Sequence, residues 1–227
     1  MPVSPRSFGI VVLTWVTLTS GAGPRAADLS ADQLAAALQR KYDAMTGFSA
    51  DFVHSYRGGV LRTQITERGH VLVKKPGKMR WEYTSPEPKL FVSDGTKMYS
   101  YLPRDKQVMV TSVPAGDAAS SPVLFLAGRG NIVRDFKASI VPPSAGAPPQ
   151  TTALKLQPLM PQRDYDWLIV ELEEGSLAIR GLVTTDAQGG ESTFSFTQMK
   201  ENIPLADKEF TFTIPRGVDV LTDDRRD

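Results

Sequence analysis

Apolar and polar residues alternate strictly from Lys78 to Tyr83. Met79, Trp81 and Tyr83 fall on one side, and Lys78, Arg80 and Glu82 on the other. A period of two is the pattern of an antiparallel strand with one apolar and one wet face. Just before it, Lys75-Pro76-Gly77-Lys78 reads as a tight turn. Proline sets its own φ and extends Lys75, while glycine frees the next position. The apolar face of the strand carries large, adaptable side chains. It can close a core or line an apolar cavity.

Upstream, the period changes to that of a helix. Leu34, Leu38, Tyr42 and Met45 recur at helical spacing, with Gln39, Arg40, Lys41 and Asp43 elsewhere on the wheel. Ser30 is the natural N-cap, Gln33 completes a capping box, and Gly47 is the expected C-cap. The apolar stripe of this helix must lie on something later in the chain.

Beyond Gly47 the chain reads almost entirely as strand. Phe48 to Tyr56, Val60 to Lys74 and Lys78 to Tyr83 are strands, with Gly58-Gly59 a hairpin turn and Val71 and Val73 on one side of the second. Leu90 to Ser93 and Lys97 to Tyr101 flank Asp94-Gly95, a strong hairpin signal, and Gln107 to Ser112 comes after another turn. Short connections predict a meander of antiparallel neighbours. A small-residue loop, Pro114 to Ser121, interrupts it. Ser121-Pro122 then starts a very short helix, Val123-Leu124-Phe125-Leu126, which Gly128 stops. A helix of two turns that is apolar all round is unstable alone in water. It must be buried on several sides or sit over apolar surface as a lid. Asn131 to Phe136 is a further short turn of helix.

After a Pro/Ala surface loop at Pro142 to Pro149, strands resume at Thr152 to Leu156, Tyr165 to Leu172, Leu177 to Thr185, Glu191 to Met199 and Glu209 to Ile214. No new helical layer appears, so the loop is not read as a domain boundary. About eleven strands, one amphipathic helix and one or two apolar mini-helices predict a mainly β fold. A strongly curved antiparallel sheet with helices in its mouth explains them best.

Composition narrows the function. The chain has 227 residues, 41% hydrophobic and 22% charged, with a formal net charge of +1. Nothing suggests a nucleic-acid partner. There is no cysteine, which excludes disulfides, thiolate metal sites, a cysteine nucleophile and a lipidated N-terminal cysteine. Only His54 and His70 are available as histidines, and both read as surface or strand residues; no metal and no cofactor are expected. Asp164, Asp166, Glu171, Glu173 and Glu174 alternate with Tyr165, Trp167 and Leu172, which reads as a solvated strand face or turn rather than acid/base or Ca²⁺ chemistry. No nucleophile–His–Asp context supports a hydrolase.

The N-terminus reads as a secretory leader. Arg6 supplies the positive region, Phe8 to Leu18 the apolar run, and Ser20-Gly21-Ala22 or Ala26-Ala27 the small residues before cleavage. Residues 1–27 are therefore expected to be a signal peptide cut between 22 and 27, and 28–227 one domain, soluble outside the cytoplasm.

In their order along the chain, several passages resemble the periplasmic outer-membrane lipoprotein carrier family, LolA. Phe48-Ser49-Ala50-Asp51-Phe52 is similar to the family's F-x-A-x-F. Val73-Lys74-Lys75-Pro76 through Trp81 is similar to its V-K-R-P stretch and Trp. Val92-Ser93-Asp94-Gly95, Tyr101 with Pro103, and Gln107 come next, and Phe210-Thr211-Phe212-Thr213-Ile214-Pro215-Arg216-Gly217-Val218 closes the set. Pro122 to Ala127 resembles the family's apolar lid helix. The likeness spans roughly Asp28 to Val220.

The resemblance implies an unclosed antiparallel β half-barrel covered by short helices, enclosing a cavity for acyl chains. It implies a monomeric, non-enzymatic chaperone. Acylated lipoproteins would be its cargo, an inner-membrane release complex its donor and an outer-membrane receptor its acceptor. Met79, Trp81 and Tyr83, with Val71, Val73, Leu124 and Phe125, are the expected cavity lining. Lys75, where the family usually has arginine, is the expected lid latch, and His54 stands where the family usually has glutamine. The alternative is a protein of the same fold that binds another lipid or senses envelope stress.

Overall fold

The computed structural model describes residues 29–58, 64–113, 122–162, 165–186 and 189–222. The expected leader, the loop at 114–121, the start of the second strand at 60–63, Gly59 of the expected hairpin turn, and Asp164 lie outside the described residues.

Helix α1 spans Ala31–Ala44. Its capping box forms: the Gln33 N–H donates to Ser30 Oγ at 3.3 Å and the Ser30 N–H donates to Gln33 Oε1 at 2.9 Å. Two donors of the first turn are thereby satisfied. The stripe Leu34, Ala35, Leu38 and Tyr42 is buried. The helix stops at Met45 rather than at the expected Gly47. Met45 is extended, and its N–H turns back to the carbonyls of Lys41 and Tyr42. Gly47 instead opens the first strand, where a Cβ would stand 2.3 Å from the Val73 carbonyl oxygen. Close strand approach, not helix termination, requires the glycine there.

The strands are β1 (Gly47–Arg57), β2 (Gln64–Lys74), β3 (Lys78–Ser85), β4 (Lys89–Asp94), β5 (Lys97–Leu102), β6 (Gln107–Ser112), β7 (Phe136–Val141), β8 (Thr151–Pro158), β9 (Leu168–Glu173), β10 (Ile179–Thr185), β11 (Glu191–Glu201) and β12 (Asp219–Thr222). Two short helices, α2 (Pro122–Leu126) and α3 (Ile132–Asp135), fall between β6 and β7. All twelve strands join one sheet in the order β12-β6-β5-β4-β3-β2-β1-β11-β10-β9-β8-β7. It is two antiparallel meanders laid side by side through the β1–β11 pairing. β12 and β7 are its free edges, so the half-barrel does not close.

Two strand expectations are corrected. Lys137 to Val141, not read from the sequence, is most of β7. Glu209 to Ile214, read as a strand, instead ends a 3-10 helix at Asp207–Phe210 and runs on as extended backbone without a ladder. Its alternation is satisfied differently. Phe210 is 1% exposed, and Phe212 packs 5.5 Å and 5.7 Å from the Tyr99 and Tyr101 rings. The segment crosses the outer face of the sheet, held by Lys74 to Asp207 at 2.7 Å and by Arg80 to the Glu209 carbonyl at 3.5 Å. The last strand is β12, paired parallel with β6. Glu171, read as solvated, is 3% exposed; its carboxylate accepts the Ser144 N–H at 2.7 Å beneath the Pro/Ala loop.

Cross-strand partners share a face. One face gathers Phe194 and Phe196 of β11, Phe48, Ala50 and Phe52 of β1, Val71 and Val73 of β2, and Met79, Trp81 and Tyr83 of β3. It continues through Leu182, Val170 and Leu154 of β10, β9 and β8. All are buried in a single apolar cluster with α1 and α2. This is the inner face, and the helices cover it.

Candidate functional site

The alternation of β3 places Met79, Trp81 and Tyr83 on the inner face. Register carries that face outward: Trp81 lies opposite Phe91, and Met79 opposite Ser93, which lies opposite Met98. Together with Val92 these residues line an apolar cavity of about 220 Å³. Trp81 is only 3% exposed. Its indole N–H donates to Met79 Sδ at 3.4 Å, and Phe52 packs edge-on against it at 5.1 Å and against Tyr83 at 4.8 Å. Aromatic edges hold the walls of this cavity, and among the described residues its lining side chains carry polar atoms only in the Tyr83 hydroxyl, the Trp81 N–H and Ser93.

The structure places Val71, Val73, Leu124 and Phe125 beside that cavity, in the packed core. They are 0%, 1%, 2% and 1% exposed, and none lines the open volume. Phe125 stacks on Tyr42 at 5.6 Å and meets Phe136 edge-on at 6.3 Å. Phe91 and Met98 line the cavity without having been expected to, although their strands are legible in the sequence. The β3–β4 register that sets Phe91 against Trp81 is the available signal.

The covering helix α2 is tied at its C-terminal end. Gly128 takes φ +82°, and the N–H groups of Gly128 and Arg129 return to Phe125 and Leu124 at 3.0 Å each. The Gly77 N–H of the β2–β3 turn donates to the Ala127 carbonyl at 3.1 Å. The Tyr42 hydroxyl donates to the Leu126 carbonyl. Burial pushes that phenol above its ordinary range, so it remains a donor at any physiological pH.

Lys75 stands at the centre of this junction. Its ammonium donates to the Tyr42 carbonyl of α1, not to α2 itself, and lies 3.9 Å from the Tyr42 ring centre. Its stem runs against Gly128, where a Cβ would come within 2.8 Å of Lys75 Cδ and Cε. Lys75 therefore reaches α2 through Tyr42 and Gly128. Burial lowers its pKa from 10.5 to about 8, partly offset by the charge of Asp43. His70 lies on the outer face, 2.8 Å from Asp51. His54 lies on the inner face, stacked on Phe194 at 4.1 Å.

The residues of β3, β4 and β5 named above enclose apolar volume. Among the described residues no cluster of His, Cys, Asp and Glu could hold a metal. The fold and site define an unclosed β half-barrel with an apolar cavity on its inner face.

The chain belongs to the outer membrane lipoprotein carrier protein family, LolA, whose family model matches residues 43–213. It is 31% identical to an outer-membrane lipoprotein carrier protein of Chromohalobacter salexigens, over 95% of this chain and 98% of that one. It is 30% identical to one of Chromobacterium violaceum, over 88% and 94%. A solved structure of an uncharacterized conserved protein from Thermus thermophilus matches with a TM-score of 0.50 at 12% identity, over 84% of this chain and 98% of its own; it shows the shared fold. The chain is thus an outer-membrane lipoprotein carrier, a transport protein rather than an enzyme. Its cargo is lipoprotein. No helix of the described residues is long and apolar enough to cross a membrane.

Proposed function

We propose that this carrier shelters the acyl chains of lipoproteins in the space between β3–β5 and the covering helices, and moves them through the periplasm. In this reading the leader lies within residues 1–27 and is cut between 22 and 27 on export, and residues 28–227 act as one domain. An inner-membrane release complex hands over the cargo and an outer-membrane receptor accepts it.

The carrying observation is the cavity lined by Met79, Trp81 and Tyr83. Its 220 Å³ is less than the roughly 300–1,000 Å³ of ordinary ligand pockets. In this reading the space widens on uptake, through movement of α2, which packs on the same inner face. Each methylene withdrawn from water contributes about 0.8 kcal/mol, so a chain of a dozen is worth roughly 10 kcal/mol. That is of the order of what holds α2, the burial of Leu124, Phe125 and Leu126 together with a few hydrogen bonds, so chains that take over these apolar contacts can displace the helix. Transfer needs no nucleotide if the receptor's cavity binds more tightly.

The test is to mix the purified, leaderless protein with a detergent-solubilised acylated lipoprotein, remove the detergent and record native mass spectra. A water-soluble one-to-one complex is expected. Cargo that aggregates alone while the carrier remains empty would overturn the reading.

A further inference from the structure

A polar cluster on the inner face stands at the end of the cavity. His54 lies opposite Glu67 across β1 and β2, and Tyr83 lies opposite Lys89 across β3 and β4. Lys89 Nζ is 2.5 Å from Glu67 Oε1, and His54 Nδ1 is 3.4 Å from Glu67 Oε2. The Tyr83 hydroxyl is 3.5 Å from His54 Nδ1, and His54 Nε2 is 3.4 Å from Ser192 Oγ. Tyr83 belongs to both groups: its ring lines the cavity and its hydroxyl faces this cluster.

Placing such groups on an apolar face costs free energy unless they are paired. Glu67 is paired, and its side chain is 10% exposed. Lys89 uses one of its three donors on Glu67 and stays 31% exposed. At the opposite end of the cavity, Ser93 Oγ already donates to the Gly77 carbonyl at 2.8 Å and accepts the Gly95 N–H at 3.2 Å. Hydrogen-bond capacity for a ligand therefore lies at the Tyr83 end. Burial holds the His54 imidazole below its ordinary pKa, opposed by Glu67, which leaves it uncharged at neutral pH. Glu67 and Lys89 then cancel, and the cluster as a whole is neutral.

An acyl chain that fills an apolar cavity ends in a carbonyl, and that acceptor needs a donor. We infer that Lys89 and the Tyr83 hydroxyl, held in place by Glu67 and His54, bind the ester or amide carbonyls where the acyl chains join the polar part of the cargo. The neutral balance suits an uncharged linkage rather than an anionic phosphate. This inference rests on the carrier reading and adds an orientation to it: chains run toward the Lys75 turn, and the linkage sits at Lys89.

The test compares the affinity of the leaderless protein for two lipopeptides with identical chains, one ester-linked and one ether-linked. The wild type is expected to prefer the ester about tenfold, the size of one hydrogen bond to a charged donor. Lys89→Met should abolish the preference and leave ether binding intact, and Lys89→Arg should restore it. Because Lys89→Met leaves Glu67 without its cation, a Glu67→Gln/Lys89→Met double variant, checked by circular dichroism, repeats the measurement without the buried charge. An ester-linked phospholipid of the same chains separates the sources. Sensitivity to Lys89→Met there assigns the readout to ester carbonyls, and sensitivity confined to the lipopeptide assigns it to the peptide amide. If wild type binds both lipopeptides equally and Lys89→Met changes neither, the inference is overturned while the carrier reading stands. If wild type binds neither, the carrier reading itself fails.

Discussion

The Lys75 ammonium lies 3.9 Å from the centre of the Tyr42 ring and donates to the Tyr42 carbonyl, while the Tyr42 hydroxyl donates to the Leu126 carbonyl of α2. A cation on the β2–β3 turn is thus coupled to the covering helix through one aromatic side chain of α1. Opening α2 breaks the Tyr42–Leu126 bond, and the Gly77–Ala127 bond beside it.

Lys75→Leu should loosen the junction. It keeps much of the apolar stem and removes the donor. The burial that lowers the ammonium's pKa offsets part of what a charged donor contributes, and the bond reaches α2 only through Tyr42, so the shift toward the open form is at most about fivefold, or about 1 kcal/mol. Uptake of an acylated peptide should persist or tighten, and release to an acceptor should slow. Lys75→Arg should do the reverse, because its planar fork offers two parallel donors. Transfer rates unchanged in both variants would reduce Lys75 to a turn residue.

Lys75 also sets a pH dependence. Its pKa is about 8 in the folded chain and 10.5 in the ordinary state. Between those values the unfolded chain binds more protons than the folded one, so stability rises with pH. Below about 8 the residue is charged in both states and the burial penalty is fully present. Urea unfolding of wild type minus that of Lys75→Leu should show this rise across the interval between the two values. An amine resonance titrating near 10.5 in the folded protein would contradict it.

Gly69→Ala should destabilise the half-barrel. A Cβ there would stand 2.0 Å from the Glu82 carbonyl oxygen and 2.7 Å from Phe52 Cζ, and neither can yield freely. Overpacking of this kind costs about 1–3 kcal/mol, and backbone on one side argues for the upper end. Chemical denaturation measures it; a loss under about 0.5 kcal/mol would mean that the β2–β3 register shifts easily.

Met98→Trp should fill the cavity. Met98 lines it from β5 and is only partly buried, so the larger ring has room to enter. Binding of a fluorescent fatty-acid analogue should fall at least about tenfold with an unchanged circular-dichroism spectrum. Undiminished binding would place the ligand elsewhere.

Local signals make much of this fold legible. The Ser30–Gln33 box, the Met79–Tyr83 alternation and the Asp94-Gly95 hairpin each depend on residues a few positions apart. The parallel β12 is invisible in the sequence because its partner β6 lies far upstream, with eight other described elements between them. The Phe210 and Phe212 alternation misleads because packing across a sheet and pairing within one leave the same period of two. The Glu67–Lys89 contact depends on three strands in register, and nothing in either residue's neighbourhood announces it. Lys75 is marked by the turn and the family likeness, but its route through Tyr42 is a property of the fold.

The central claim is that acyl chains lie against the inner face at β3. Trp81 lines the cavity, whereas Trp167 sits beside Lys155, whose ammonium is 4.9 Å from its ring, away from the cavity. A lipopeptide brominated along its acyl chains quenches a nearby indole. It should strongly quench the leaderless Trp167→Phe variant, which retains Trp81, and barely affect the leaderless Trp81→Phe variant, which retains Trp167. Equal quenching in both, or quenching confined to Trp167, would contradict the account.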